Sequence, residues 1–383
     1  WGGKSKMLDL DKNNSIYQKY GIREMINAHD TYTVYGGSRM DSACIDMMHE
    51  ISKHFVDIAQ MQRQLGKHIA ELTNNEATYI TNGAAGALLI SACICLAEGD
   101  EYLYRELPVL KGEKREIILF KAQRNAYDKA IEVSGADIIE VGDADETLEC
   151  DLKGKINEHT AAVFYFVSDL YQRGSMDLKE VIEIGHQYNV PVIVDAAAQL
   201  PPVENLWKYT QMGADMVIFS GGKTLCGPQD SGIIVGKKKY IEWCQKFGAP
   251  VHGIARICKT SREAMIGLTW AIEAYMHKNY DEQYEQWMKI NKTIELYVEE
   301  ASLVRCTEIR NRGPVGQSYP RLFIYLNETI ECEKIVSAMN KKGIYIGIDK
   351  TANSIYISPL NLNMEEAEKV AKILKNILNM EEI

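Results

Sequence analysis

The sequence predicts an α/β protein with a large, mainly parallel, seven-stranded sheet and a smaller C-terminal α/β unit. Three observations predict it. Seven short apolar runs lie between residues 77 and 235, stretches of helical length separate most of them, and the pattern changes near residue 260. Continuous Val, Ile and Phe suit strands buried on both faces. Strand–helix alternation calls for parallel pairing, helices on both sides of the sheet and right-handed crossovers.

Along the chain, Cys44, Met47, Met48, Ile51 and Phe55 fall on one helical face, and Ile58, Met61, Leu65, Ile69 and Leu72 on another. The apolar runs follow as Ala77–Ile80, Ile117–Phe120, Asp137–Val141, Ala161–Val167, Val190–Val194, Asp215–Ser220 and Gly232–Val235. Helices are expected over Ala84–Ala97, Arg124–Ser134 and Leu178–Tyr188. Ser261–Glu300 reads as long helix with a turn near Lys278. A strand over Arg321–Leu326, a helix from Glu331, strands near Tyr345 and Ile355 and a helix from Met364 complete the smaller unit. The expected divisions are residues 1–55, packing on the smaller unit or on a partner subunit, 56–260 as the large domain, and 261–383 as the long helix and small domain.

Composition excludes several classes. In 383 residues, 46% are hydrophobic, enough for a sizeable core and unlike a disordered, collagenous or disulfide-stapled chain. Fifty-three acidic against 43 basic residues leave a net charge of −10, which argues against broad nucleic-acid binding, since phosphate contacts need clustered Lys and Arg. The longest apolar run, around Ala84–Ala97, is too short to span a bilayer, and Trp1–Asp11 has no apolar core and is not expected to be a signal peptide. Nine scattered cysteines without a CxxC fit buried free thiols in a reducing cytoplasm. No HExxH or Cys/His cluster appears, so no metal site is expected.

Three motifs stand at strand ends. Thr81-Asn82-Gly83-Ala84-Ala85-Gly86 follows a strand and opens a helix, whose free N–H groups and partial positive charge suit a phosphate. Tight strand-to-helix packing also explains small residues there. Asp195, in Val192-Ile193-Val194-Asp195-Ala196-Ala197-Ala198-Gln199, places a carboxylate at the end of an apolar strand. It reads either as a helix cap or as the partner of a ligand cation, because a buried charge needs a partner. Lys223, in Ser220-Gly221-Gly222-Lys223-Thr224-Leu225-Cys226-Gly227-Pro228, is set among glycines after the next strand. An exposed loop lysine is the ordinary alternative. Held from water, its ammonium form is disfavoured and its amine is available for a Schiff base. Together, a phosphate cradle, an acid for a pyridine nitrogen and an amine for an aldehyde are what pyridoxal 5'-phosphate requires.

The chain resembles fold-type I pyridoxal-phosphate enzymes of the selenocysteine-synthase-like group, which includes D-glucosaminate-6-phosphate ammonia-lyase. The likeness runs from about Gly21 to Met276. It rests on Gly21-Ile22-Arg23-Glu24-Met25-Ile26-Asn27-Ala28, Tyr35-Gly36-Gly37-Ser38, the Gly83 loop, Arg124-Asn125-Ala126-Tyr127-Asp128, Asp195-Ala196-Ala197-Ala198-Gln199-Leu200-Pro201-Pro202 and Ser220-Gly221-Gly222-Lys223. The resemblance implies an aspartate-aminotransferase-like fold. It implies that Lys223 carries the cofactor and moves the substrate's α-proton, and that Asp195 pairs with the pyridine nitrogen. It assigns the phosphate to Ser220, Gly83, Ala84 and Ala85, and one ring face to Ala197. Gln199 is placed to reach the phenolic oxygen, and Gln123 stands roughly where relatives put a His over the ring. Arg256 and Lys259 match a basic pair that meets the substrate's acidic group, with solvated surface charge as the alternative. Arg39 and Arg321 are further candidates, because Arg suits bidentate contacts to carboxylate or phosphate.

The implied reaction is an α,β-elimination by an ammonia-lyase on a phosphorylated amino-sugar acid or similar 2-amino-3-hydroxy acid, with Lys223 as base and Tyr171 or Asp169 assisting. A small anionic substrate and a homodimer or larger homo-oligomer, with active sites between subunits, belong to the same expectation. The alternatives are β-replacement on seryl-tRNA, as in L-seryl-tRNA(Sec) selenium transferase, transamination, and a non-catalytic scaffold. The acidic charge and the expected lack of a long N-terminal nucleic-acid-binding extension disfavour the tRNA reading. Intact Asp195 and Lys223 disfavour the scaffold.

Overall fold

A computed structural model describes residues 16–380. The reading of Trp1–Asp11, and most of the N-terminal end of the first expected division, lie outside the described residues. The strands are β1 (Ile26–Ala28), β2 (Ala77–Thr81), β3 (Glu116–Phe120), β4 (Asp137–Val141), β5 (Thr160–Phe166), β6 (Val192–Asp195), β7 (Met216–Ser220), β8 (Gly232–Gly236), β9 (Val304–Arg310), β10 (Arg321–Leu326), β11 (Ile344–Asp349) and β12 (Ser354–Ile357). They form a seven-stranded sheet, β2-β8-β7-β6-β5-β3-β4, and a five-stranded sheet, β1-β11-β12-β10-β9.

All seven apolar runs of the first sheet are strands within it. The pairs from β4 through β7 are parallel, and β8 alone lies antiparallel to its neighbours β2 and β7. The strands are buried because their faces carry Ile118, Val163, Val194 and Val217 on one side and Ile117, Phe164, Ile193 and Ile218 on the other. The helix Ala84–Ala97 is apolar all round and buried from Gly86 to Ala97. A helix without a polar stripe belongs inside a core. Helix starts follow local capping chemistry: the Asp57 side chain accepts from Gln60 N–H, and Ser261 Oγ accepts from Ala264 N–H.

The smaller sheet carries its core on one face, with Leu322, Ile324, Ile355 and Ile357 packed by Ile335 and Leu374 of the helices Cys332–Lys341 and Met364–Leu378. Two of its strands are not evident in the sequence pattern. β1 has three residues, and β9 is an edge strand with a half-exposed, charged pattern, Val-Arg-Cys-Thr-Glu-Ile-Arg.

Two compact units emerge. The smaller takes the chain to Asp30, Glu285–Arg310 and Pro320 onward; the larger takes Thr31–Tyr284 and Asn311–Tyr319. The division therefore differs from the expected cuts after residues 55 and 260. The helix Ser42–Ser52 packs on the helix Arg262–Met276, with the Cys44 thiol 3.3 Å from the Gly267 carbonyl, and both belong to the larger unit. The expected turn near Lys278 separates that helix from Tyr280–Val298.

Two local expectations are corrected. Phe55 does not share the face of Cys44: the helix ends at Ser52, and Phe55 is fully exposed beneath the Arg262 guanidinium. Arg124–Ser134 is helical only over Asp128–Glu132. Asn125 Oδ1 accepts from Tyr127 N–H, and Asp128 accepts from Asn125 N–H, so local side-chain bonds hold residues 125–128 as a turn ahead of the short helix. All nine cysteines are free, five of them buried and two, Cys150 and Cys306, exposed.

Candidate active site

The three strand-end motifs converge through β-sheet register. Asp195 ends β6, paired with Phe166 of β5 and Ile218 of β7. Gly232 of β8 pairs with Thr81 of β2 and with Ser220 of β7. One strand therefore separates the Gly83 turn from the Ser220 turn, a spacing of about 10 Å at two inter-strand steps. All these residues lie in the larger unit.

Gly83 has φ +113°, a conformation that side chains rarely adopt, and provides no side-chain cap for the helix Ala84–Ala97. A Cβ built on it would meet no atom within 4 Å, so the space over this turn is open. Thr81 Oγ1 donates to the Gly83 carbonyl at 2.9 Å and holds the turn. An uncapped, open helix N-terminus fits an anion.

Asp195 is buried. Burial pushes its carboxyl above the usual range, while the Ala197 N–H at 2.8 Å and the charge of Lys223 pull it down. Asp195 is in register with Ile218 of β7, and Lys223 follows the end of that strand at Ser220, so the acid and the amine issue from neighbouring strand ends. The backbone leading to Lys223 is crowded: a Cβ on Gly221 would meet Ser231 Oγ at 2.2 Å, and one on Gly222 would meet Gln229 Cα at 2.5 Å. Gly37, with φ +72°, leaves room for the Gly222 carbonyl, which a Cβ would meet at 2.6 Å, and so brings the segment carrying the exposed Arg39 alongside.

The donor set fits pyridoxal phosphate: an open anion cradle, a buried acid that gains from a nearby cation, and an amine just past the end of the neighbouring strand. Ala197 is half-buried beside Asp195.

Other expected residues are placed differently. Gln123 is buried with its amide engaged, Oε1 accepting from Phe166 N–H at 2.8 Å and Nε2 donating to Ser175 Oγ at 2.9 Å, so it braces the end of β5. Gln199 donates to the Val167 and Val315 carbonyls at 2.8 and 2.9 Å. Both amide hydrogens are spent, which leaves Gln199 only an acceptor toward the phenolic oxygen it is expected to reach. Arg321 is fully buried and ion-paired with Asp30 at 2.9 Å within the smaller unit, so it presents no surface to a substrate. Asp169 is engaged by Arg312. Tyr171 is half-buried, its hydroxyl pushed up by burial and by the charges of Asp128 and Asp195.

Arg256 lies half-buried on the 3-10 turn Ile254–Cys258, and Lys259 follows it exposed. A Cβ on Gly86 would come 3.4 Å from Cys258 Cβ, so this turn abuts the start of the cradle helix. The motif residue Arg124 pairs with Asp128, Glu132 and Glu140, a structural network. Asn82, part of the Gly83 motif but without an expected role of its own, has a buried Oδ1 with no hydrogen-bond partner beside Gly86. Its position next to Gly83 was the available signal. Among the described residues, no group of three or more His, Cys, Asp or Glu could hold a metal ion, and no helix is long and apolar enough to cross a membrane.

Solved structures share this architecture. A structure of D-glucosaminate-6-phosphate ammonia-lyase superposes with a TM-score of 0.82 at 25% identity, covering 96% of this chain and 98% of that one. Serine palmitoyltransferase from Sphingomonas wittichii gives 0.59 at 12% identity over 93% and 88%, a likeness of fold. The fold is that of fold-type I pyridoxal-phosphate enzymes, and the protein is such an enzyme with pyridoxal 5'-phosphate as its cofactor. A family model described as SelA, L-seryl-tRNA selenium transferase, matches residues 38–312. The chain belongs to that family.

Among its relatives, D-glucosaminate-6-phosphate ammonia lyase of Salmonella typhimurium is 32% identical over 266 residues, 68% of this chain and 70% of the relative. A 5'-C-glycyluridine monooxygenase-decarboxylase of Streptomyces sp is also 32% identical over 266 residues, 68% of this chain and 65% of the relative. L-seryl-tRNA(Sec) selenium transferase of Aquifex aeolicus is 28% identical over 301 residues, 72% and 63%. The chain spans less than two thirds of the last two.

Proposed function

We propose that the protein is an ammonia-lyase that eliminates water across the α,β-bond of a 2-amino-3-hydroxy acid, D-glucosaminate 6-phosphate or a related amino-sugar acid, and releases ammonia and a 2-keto-3-deoxy product. The observation that carries this reading is the likeness to an ammonia-lyase structure over nearly the full length of both chains. When bound, pyridoxal phosphate supplies an electron sink for negative charge at the substrate's α-carbon. Asp195 holds a proton on the ring nitrogen. Lys223 tethers the cofactor, takes the proton from the α-carbon and returns one to the departing β-hydroxyl. Gly83, Ala84, Ala85 and Ser220 would hold the phosphate, and Ala197 would support the ring. Arg256 on the turn beside the cradle helix, Lys259 just after it, and Arg39, two residues past the Gly37 that abuts Gly222, receive the substrate's anionic groups.

The net charge of −10 favours a small anion held by a few local cations over a tRNA as substrate. Free thiols throughout favour a cytoplasmic setting. Exposed Tyr32, Val34, Ile45, Met47 and Phe55 in one stretch favour a homodimer or larger homo-oligomer. The test is a screen of amino-sugar acids, with and without phosphate, for coupled release of ammonia and keto acid without an amino acceptor. Keto-acid release only with an amino acceptor supports transamination instead. Tight, salt-sensitive binding of seryl-tRNA without lyase turnover supports the selenium transferase reading.

A further inference from the structure

Gly232 stands where no backbone rule asks for glycine. It is ordinary strand at the start of β8, outside the left-handed region. Space is what excludes a side chain. A Cβ on Gly232 would lie 2.8 Å from the Gly83 carbonyl carbon, 2.9 Å from the Phe219 oxygen and 3.0 Å from the Ala84 nitrogen. All three are backbone atoms, so no flexible side chain can yield.

The neighbours also lack room to retreat. Phe219 is fully buried in β7, and the helix that begins at Ala84 is buried from Gly86 onward. A methyl group at 232 must therefore push the short segment Gly83–Ala84 outward, against the hydrogen bond from Thr81. The same glycine pairs on its other side with Ser220. It is the one residue in register with both halves of the cradle, Thr81 before the Gly83 turn and Ser220 before Gly221.

We propose that Gly232 is a positioning residue that sets the distance between the Gly83–Ala84 amides and Ser220, and thereby makes the site select a phosphorylated pyridoxal. This rests on the cradle assignment in the proposed function. It goes further by naming a residue that touches no ligand and by assigning it selectivity for phosphate, separate from the Schiff-base chemistry of Lys223.

The experiment compares pyridoxal 5'-phosphate with pyridoxal, titrated into apo-protein and followed by the visible absorbance of the Lys223 Schiff base. Gly232→Ala is measured beside Gly236→Ala at the far end of the same strand, where a Cβ would meet the Asp215 oxygen at 2.2 Å. In Gly232→Ala, the preference for the phosphorylated form is expected to fall by about tenfold, the scale of one weakened hydrogen bond to a charged group, with pyridoxal binding unchanged. In Gly236→Ala the thermal midpoint falls and the preference stays.

Should Gly232→Ala not fold, amide hydrogen exchange of the wild-type apo-protein with inorganic phosphate replaces it. Joint protection of residues 81–86 and 231–233 supports the proposal, and protection confined to 83–86 overturns it. A wild type that prefers the phosphorylated form, with a Gly232→Ala variant that prefers it equally, overturns this inference alone, as does an equal loss in Gly236→Ala. A wild type that binds both forms equally overturns the cradle assignment and this inference with it.

Discussion

Arg321 and Asp30 neutralise each other inside the smaller unit, 2.9 Å apart, with the guanidinium fully buried. Removing one partner leaves a buried charge without its counter-ion. Arg321→Met alone is expected to lower unfolding free energy by about 3–5 kcal/mol, and Arg321→Met with Asp30→Leu to recover most of it. Urea denaturation of both variants checks this. A single variant as stable as the double would show that the pair is not coupled.

Asp195 carries a pH signature. Burial raises its pKa above the unfolded value, so the apo fold binds this proton more tightly than the unfolded chain does. The associated stability is full below the ordinary aspartate pKa and is lost as pH rises through the raised value. Apo-protein should therefore lose stability across that window, Asp195→Asn should lose less, and the holo-protein, with a cation beside the acid, should not share the loss. Urea midpoints against pH read all three. The same Asn variant should lose turnover by about a hundredfold or more, because a preorganised charge is gone.

Lys223→Ala should bind pyridoxal phosphate without the yellow Schiff-base absorbance, and its turnover should fall by about 10⁴ or more with the loss of the positioned base. The readout is a visible spectrum before and after borohydride. A wild type that stays colourless in excess cofactor would remove the chemistry assigned to position 223.

Arg256→Ala and Lys259→Ala should separate cofactor from substrate. Each is expected to raise KM for a phosphorylated amino-sugar acid by about ten- to a hundredfold, the worth of a charge-assisted hydrogen bond, with cofactor affinity unchanged. An unchanged KM in both would return these residues to solvated surface charge.

Strand identity and the strand-end motifs were legible because they are local. Ile117–Phe120 and Val192–Val194 announce doubly buried strands within a few residues, and Lys223 announces itself through the glycines around it. β1 and β9 were not legible, because β1 is only three residues long and β9 mixes charged, exposed residues into its run.

The sequence by itself determined the α/β class, the succession of strands and helices along the chain, and the strand-end positions of an acid at 195 and an amine at 223. Only the tertiary structure decided that Arg321 is an internal ion pair, because its partner is 291 residues away. The same holds for Gln199, whose amide hydrogens go to Val167 and Val315, and for Gly232, which β8 slots between Thr81 and Ser220. Periodicity and turn chemistry act over a few neighbouring residues, whereas burial and pairing depend on which distant segments the fold brings into contact.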